Sequence, residues 1–425
     1  MARSFVLKRE SAPIPLVHYQ IPYAEHLNPQ QLAVVEAPNG PALVIAGAGT
    51  GKTRTLIYRL ARLVESGVPP EEIVLLTFTR RAAREMLNRA TVLLDGRCEG
   101  IKGGTFHGFC LSVLQRYAQQ IGFPVRFSVL DAADAADVVD LLRTQQGFHQ
   151  SKTRFPKKDT LYHLFSASIN RQKDIPQLLA QEFPQYAKHE TEILTLYKAY
   201  DQYKQKHGLM DYDDLLVRTL QLFEAHPTIR YEVCARIRHV LVDEFQDTNK
   251  LQGDLVAAFA SVHGNVMAVG DDAQSIYAFR GANFQNIMGF PKRFAGTTLY
   301  KLEENYRSTP PILQLANHVL SQAHERYEKE LFSRRDGGEL PAIVQAPDDR
   351  FQSRFVCQMV LQLREEGIPL NEMAVLFRNG RDSYDLELEL ARCNIPFVKY
   401  GGLKLNDAAH IKDVLAHLKI VENPL

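Results

Sequence analysis

Lys52 and Thr53 close a stretch whose residue types suit the holding of a polyphosphate. The stretch is Ala46-Gly47-Ala48-Gly49-Thr50-Gly51-Lys52-Thr53. Glycines let successive backbone N–H groups turn inward around an anion, and a helix N-terminus behind them adds positive potential. In that arrangement Lys52 reaches the β/γ-phosphates and the Thr53 hydroxyl holds Mg²⁺. Ala46 stands where the first glycine is usual, a departure from the strict pattern. A tight strand-to-helix turn without a ligand is the plain alternative.

A second cluster supplies acid. Val240-Leu241-Val242 runs into Asp243-Glu244. Two adjacent carboxylates beside a polyphosphate repel unless a metal sits between them. Asp243 is expected to hold Mg²⁺ through water, and Glu244 to orient and deprotonate the attacking water. Two exposed loop acids are the alternative. Further on, Gln274 could sense the γ-phosphate, and Tyr306-Arg307 pairs a ring for adenine with a cation for the γ-phosphate.

A third set suits single-stranded nucleic acid. Tyr277, Phe279 and Arg280 offer two ring faces and a cation, and each stacked base contributes about 1–3 kcal/mol. Thr77-Phe78-Thr79 before Arg80 offers hydroxyls for phosphate and a ring for a base. Thr105 and His107 add a hydroxyl and an imidazole. Taken singly, these stretches read first as core rings, a solvated basic helix start and a strand end.

These residues need elements to carry them. Leu43-Val44-Ile45 reads as a buried strand, and Leu56, Leu60, Leu63 and Val64 recur at helical spacing behind the glycine loop. Ile73–Thr79, Val240–Val242, Asn265–Val269, Thr298–Leu302 and Met373–Arg378 read as further strands. In open parallel sheets, ligands bind at the C-terminal strand edge. Asn28 caps a helix beginning at Pro29. Between 111 and 200 amphipathic helical patterns dominate, as in Ala135–Leu142 and Ile193–Tyr203. The basic cluster Lys152, Arg154, Lys157 and Lys158 there either meets phosphates or is a solvated face. Pro13, Pro15 and Pro22 mark an extended N-terminal tail, and His410–Val421 reads as a helix.

Composition sets outer limits. A chain of 425 residues can form two or three domains with full cores. A net charge of +1 means that any nucleic-acid surface is local. Five cysteines, odd in number and without a Cys-x-x-Cys pair, argue against disulfides and zinc and for the reducing cytoplasm. No apolar run approaches the ~20 residues that span a bilayer, so no membrane partner is expected.

Taken in order, the motifs resemble superfamily-one DNA helicases of the UvrD/Rep/PcrA type. The resemblance runs from about Leu27 to Leu425. Its signals are Leu-Asn-x-x-Gln, the phosphate loop, Thr-Phe-Thr, Gly-Thr-Phe-His, Asp-Tyr-Asp-Asp-Leu, Val-Asp-Glu-Phe-Gln-Asp, Gly-Asp-x-x-Gln-Ser-Ile-Tyr, Glu-x-Asn-Tyr-Arg-Ser and Tyr-Gly-Gly-Leu-Lys. It implies an α/β chain: a RecA-like parallel-sheet motor lobe with a helical insertion, plus a partial second RecA-like lobe. The expected divisions are a tail over 1–26, a first lobe over 27–110 and 200–297, an insertion over 111–199 and a second lobe over 298–425.

The resemblance implies ATP and Mg²⁺ in a cleft and single-stranded or partially duplex DNA across the top, with 3′ to 5′ translocation. By it Gln31 reads the adenine edge, residues 46–53 and Arg54 line the nucleotide, and Tyr306 stacks near the adenine. Arg307 is an arginine finger from the second lobe, and Gln274 couples the γ-phosphate to DNA. Phe78, Tyr277, Phe279 and Arg280 match DNA-facing positions. Three departures stand out. Phe279 replaces a usual Trp, Arg80-Arg81 replaces Asn-Lys, and the chain stops before the family's last two motifs. The last implies a second lobe that is unstable alone, is completed by another polypeptide or belongs to a truncated piece, and, with one phosphate-contacting arginine absent, slow turnover even where ATP binds. The alternative reading is an ATP- and single-strand-binding module with little unwinding of its own.

Overall fold

Six short segments, most of them apolar runs, become parallel strands of one sheet in the computed structural model, which describes residues 19–148, 154–278 and 281–401 and isolated positions between 411 and 418. The strands are β1 (Ala42–Ala46), β2 (Ile73–Thr77), β3 (Lys102–Thr105), β6 (His239–Val242), β7 (Val266–Gly270) and β8 (Thr298–Leu302). Two-residue strands β4 (Ser128–Val129) and β5 (Leu209–Met210) pair separately. The order across the sheet is β3-β2-β6-β7-β1-β8. This is the parallel α/β sheet expected of a RecA-like lobe.

The strand sequences explain the layering. β1, β2, β6 and β7 are buried at every position, as a parallel sheet covered on both faces requires. Alternate residues of a strand point to opposite faces. Leu43, Ile45, Val74 and Leu76 therefore join Leu216, Leu255 and Phe259 on one side. Val44, Ala46, Ile73 and Leu75 join Val34, Leu56 and Leu60 on the other. Every chemistry-bearing segment leaves the sheet at the same edge, where the parallel strands end.

Three boundaries differ from expectation. β8 was expected to open the second lobe, yet it pairs with β1 from Ala42↔Thr298 to Ala46↔Leu302. Without it β1 would be an open edge. The two compact units are residues 1–340 and 341–425. The insertion also starts later than 111. Cys110 and Leu114, on the helix Phe106–Tyr117, and Phe123 all lie in the main core. The separate helical core is built by Val139, Leu161, Phe165 and Leu196. Its last helix, Glu190–His207, runs past the expected end at 199. The β4–β5 pair ties the base of the insertion.

The tail beyond the first 18 residues is not merely extended. Tyr23–His26 forms a short helix, and buried Tyr23 donates from its hydroxyl to Glu65 at 2.6 Å. Pro13, Pro15 and Lys152 lie outside the described residues.

In the second unit, helices Asp349–Glu365 and Tyr384–Arg392 enclose Cys357, Leu386, Leu390 and Ile395. The strand expected at Met373–Arg378 pairs with nothing among the described residues, and Leu376 there is 94% exposed. A parallel strand needs neighbours on its ladder, and none is described in this unit. The helix expected over 410–421 falls largely outside the described residues. Among the described residues no helix is long and apolar enough to cross a membrane.

Candidate nucleotide and nucleic-acid site

The glycine loop joins β1 to the helix Lys52–Glu65, and its conformation needs its glycines. Gly49 and Gly51 have φ of +75° and +84°, a region costly for residues with a Cβ. A Cβ on Gly49 would stand 2.6 Å from Asn305 Nδ2 and 2.8 Å from Arg307 Cβ. The segment after β8 therefore lies directly on the loop. Asn305 Nδ2 donates to the Ala48 carbonyl at 2.6 Å, and Tyr306 N–H donates to the Gly49 carbonyl at 2.9 Å. The Tyr306 hydroxyl accepts from Asn28 Nδ2 at 2.8 Å. Arg307 is exposed, with its guanidinium unpaired among the described residues. Tyr306 and Arg307 thus fall in the first compact unit, residues 1–340.

Within the loop, the Thr50 hydroxyl donates to the Gly47 carbonyl at 2.7 Å. Gln31 is 3% exposed and fully engaged. Its Nε2 donates to the Thr50 carbonyl at 3.0 Å, and its Oε1 accepts from Asn28 N–H at 3.3 Å. In this state Gln31 props the loop and presents no free edge to a base. Arg54 donates to the His26 carbonyl at 2.9 Å. Thr53 is partly buried in the first helical turn.

The carboxylates sit where β6 ends. Lys52 Nζ and Glu244 Oε2 are 2.9 Å apart. Glu244 has φ of +49°, a strained value for a non-glycine residue. Gln246 Nε2 also donates to Glu244 Oε2, at 2.9 Å. Asp243 is buried, and its Oδ1 has no hydrogen-bond partner. Burial, helped by the Glu244 charge, pushes its carboxyl up to about 6. Asp247 has an orphaned Oδ1 too and is pushed to about 6 for the same reasons. Buried carboxylate oxygens without donors are rare. Such hard oxygens, with the Thr53 hydroxyl, fit a magnesium ion.

Beyond β7, Gln274 Nε2 donates to Asp271 Oδ2 at 2.7 Å. Asp271 N–H donates to Gln246 Oε1 at 3.0 Å. A continuous chain of contacts thus runs Lys52–Glu244–Gln246–Asp271–Gln274.

On the nucleic-acid side, Phe78 is 43% exposed, and its ring lies 5.5 Å from that of Tyr277 with a 30° tilt. Thr77 does not offer its hydroxyl as expected. It is 1% exposed and donates to the Thr79 carbonyl at 2.7 Å, because its position continues the inward face of β2. The Thr105 hydroxyl caps the helix Phe106–Tyr117 by accepting from Gly108 N–H at 3.2 Å. His107 sits edge-on to Tyr212, and burial, with Arg80 adding, holds its imidazole below the usual value. Phe279 and Arg280 lie outside the described residues. Gln246, Asn305 and Lys329 were not singled out from the sequence. The first two lay inside quoted motifs, whereas Lys329 sits in an irregular stretch with no period to mark it.

Comparison with known proteins gives the family. Residues 27–295 match the UvrD/REP helicase N-terminal domain, and residues 300–425 match the UvrD-like helicase C-terminal domain. The chain is similar to ATP-dependent DNA helicase PcrA of Staphylococcus aureus (strain Mu50), with 36% identity over 403 residues. It is similar to the protein of that name from Staphylococcus epidermidis (strain ATCC 12228), with 34% identity over 404 residues. Each match covers 94% of this chain and 54% of the relative, so the chain spans about half the length of these relatives. On its two domain matches and its order of sheet, phosphate loop and paired acids, the chain belongs to the UvrD/REP helicase family.

Proposed function

We propose that this chain is the nucleotide-burning, strand-gripping part of a DNA helicase or translocase. It would hydrolyse ATP with Mg²⁺ and move 3′ to 5′ along single-stranded DNA in the cytoplasm, in repair or replication. The observation that carries the reading is the seating of Asn305-Tyr306-Arg307 on the Ala48 and Gly49 carbonyls. It brings a ring, and a cation unpaired among the described residues, to the same loop as Lys52.

The residues then divide the work. ATP's phosphates draw Lys52 away from Glu244 and onto the β/γ oxygens. Glu244, released, accepts the proton of the attacking water. Asp243 and Thr53 would hold a magnesium ion, which would supply positive charge beside the phosphates. Arg307 meets charge that develops on the γ-phosphoryl group. Tyr306 stacks near the adenine, and Gln31 exchanges its partners on Asn28 and Thr50 for the base edge. Gln274 leaves Asp271 for the γ-phosphate and so reports its presence to Tyr277 and Phe78, the rings on which bases stack.

Phosphate release measured with and without oligo(dT) tests this. Turnover stimulated by oligo(dT) and abolished by Lys52→Ala is expected. Nucleotide binding with no turnover under either condition would instead favour a binding module that another polypeptide completes.

A further inference from the structure

Outside the quoted motifs, one irregular segment touches the phosphate loop, the segment after β8 and the Asp271–Asp272 pair. It runs from Tyr327 to Arg335, immediately before the boundary at 340. Leu331 covers the phosphate loop so closely that a Cβ on Gly47 would stand 2.3 Å from Leu331 Cδ2. Phe332 exchanges backbone hydrogen bonds with the segment after β8, to Asn305 N–H at 2.7 Å and to the Glu303 carbonyl at 3.1 Å. Arg335 donates to the Arg307 carbonyl at 2.9 Å. Asn317 clamps Leu331 from the helix Pro310–Ser321, with bonds of 2.8 and 3.1 Å.

Lys329 lies at the centre of this strap. Its ammonium is 2.6 Å from Asp271 Oδ1 and also pairs with Asp272. All three side chains are almost fully buried, at 4%, 3% and 4% exposure. Asp272 Oδ2 accepts the strap's own Tyr327 N–H at 3.1 Å. The two oxygens of Asp271 are therefore divided. Oδ1 accepts from Lys329 and, at 3.1 Å, from Ala273 N–H, and Gln274 is parked on Oδ2.

We propose that Lys329 is a positioning residue that sets the strength of coupling between nucleotide and single-stranded DNA. The inference rests on the reading of Gln274 as the residue that senses the γ-phosphate. When Gln274 leaves Asp271, a buried carboxylate loses a donor. With Lys329 in place its charge stays compensated, so the two positions of Gln274 remain close in free energy. Without Lys329 the Asp271 and Asp272 carboxylates repel, and departure of Gln274 would leave a buried charge unpaired. Gln274 then stays on Asp271, and the terminal phosphate is no longer felt by the rings. Lys329 touches neither substrate, so its loss should spare binding and strike coupling.

The test uses the whole chain. Affinity for labelled oligo(dT) is measured with and without a non-hydrolysable ATP analogue, and the ratio of the two is the coupling. A ratio of about fivefold or more is expected for the unaltered protein. Lys329→Met should keep each separate affinity within about threefold while the ratio falls towards one. Lys329→Arg should restore much of it. A merely structural role would instead lower both affinities and the melting temperature together and leave the ratio unchanged. If Lys329→Met does not fold, Lys329→Met with Asp272→Asn removes one carboxylate along with the cation, and the same ratio is read. An unchanged ratio in the folded variant overturns the role of Lys329 alone. An unaltered protein that binds both ligands with no coupling overturns the sensing role of Gln274, and this inference with it.

Discussion

Glu244 holds a left-handed backbone and the Lys52 ammonium at once. Both features suit a base kept occupied until phosphate arrives. Glu244→Gln should lower ATP turnover by about 10²–10⁴, the usual contribution of a general base, without weakening nucleotide affinity. Phosphate release together with titration of a fluorescent nucleotide reads both, and near-normal turnover would remove Glu244 from that role. Arg307 is seated beside the same loop, its guanidinium unpaired among the described residues. Arg307→Ala should leave nucleotide affinity largely intact and depress hydrolysis by about 10³ or more, since a finger acts on transition-state charge. Equal losses in affinity and rate would count against it. Most of these residues were legible because a glycine loop, a strand-borne acid pair and a Tyr-Arg step are local patterns. The inward turn of Thr77 and the engaged amide of Gln31 were not. Each depends on a neighbour that spacing alone does not reveal.

At the scale of elements, the buried strands announced themselves by unbroken apolar runs. The membership of β8 did not. A strand's sequence shows that it will pair, not which strand it will join, and β1 found it from 256 positions away in register Val44↔Tyr300 and its neighbours. The Tyr327–Arg335 strap was invisible because it has neither helical nor strand period. The strand expected at Met373–Arg378 shows the opposite error, an apolar run without a ladder to join. Gly49 tests the loop as an element. Gly49→Ala combines a positive φ with a close approach to Asn305 and should lower the melting temperature by about 2 °C or more. An unchanged melting temperature would mean that the segment after β8 is not seated on the loop.

Asp213 tests the join between the insertion and the main core. It accepts from Asn170 at 2.7 Å, and burial, then the Asp211 charge, pushes its carboxyl up to about 6. The folded chain thus keeps a proton there that the unfolded chain releases near pH 4. Folding stability should fall as pH rises from about 4 to about 6, and this contribution should be flat above. Asp213→Asn should flatten that slope by up to about 1.4 kcal/mol per pH unit in denaturant titrations across the window. An identical slope in the variant would show that Asp213 does not titrate this way.

For the whole molecule, two sets of residues share one sheet edge: a phosphate loop with its acids, and the neighbouring rings of Phe78 and Tyr277. Tyr277→Ala should weaken binding to single strands of any sequence, by about 1–3 kcal/mol per lost stack, with little change in salt dependence because stacking releases few counterions. A steep change in the salt slope would reassign Tyr277 to phosphate. On the proposed reading, one set would feel the other through the contacts of Glu244, Gln246, Asp271 and Gln274. The most direct measurement is the affinity of the chain for labelled oligo(dT) in the presence and absence of a non-hydrolysable ATP analogue. A shift of about fivefold or more, lost in Gln274→Ala, is expected. Equal affinities in the two conditions, with nucleotide shown to be bound, would contradict the account.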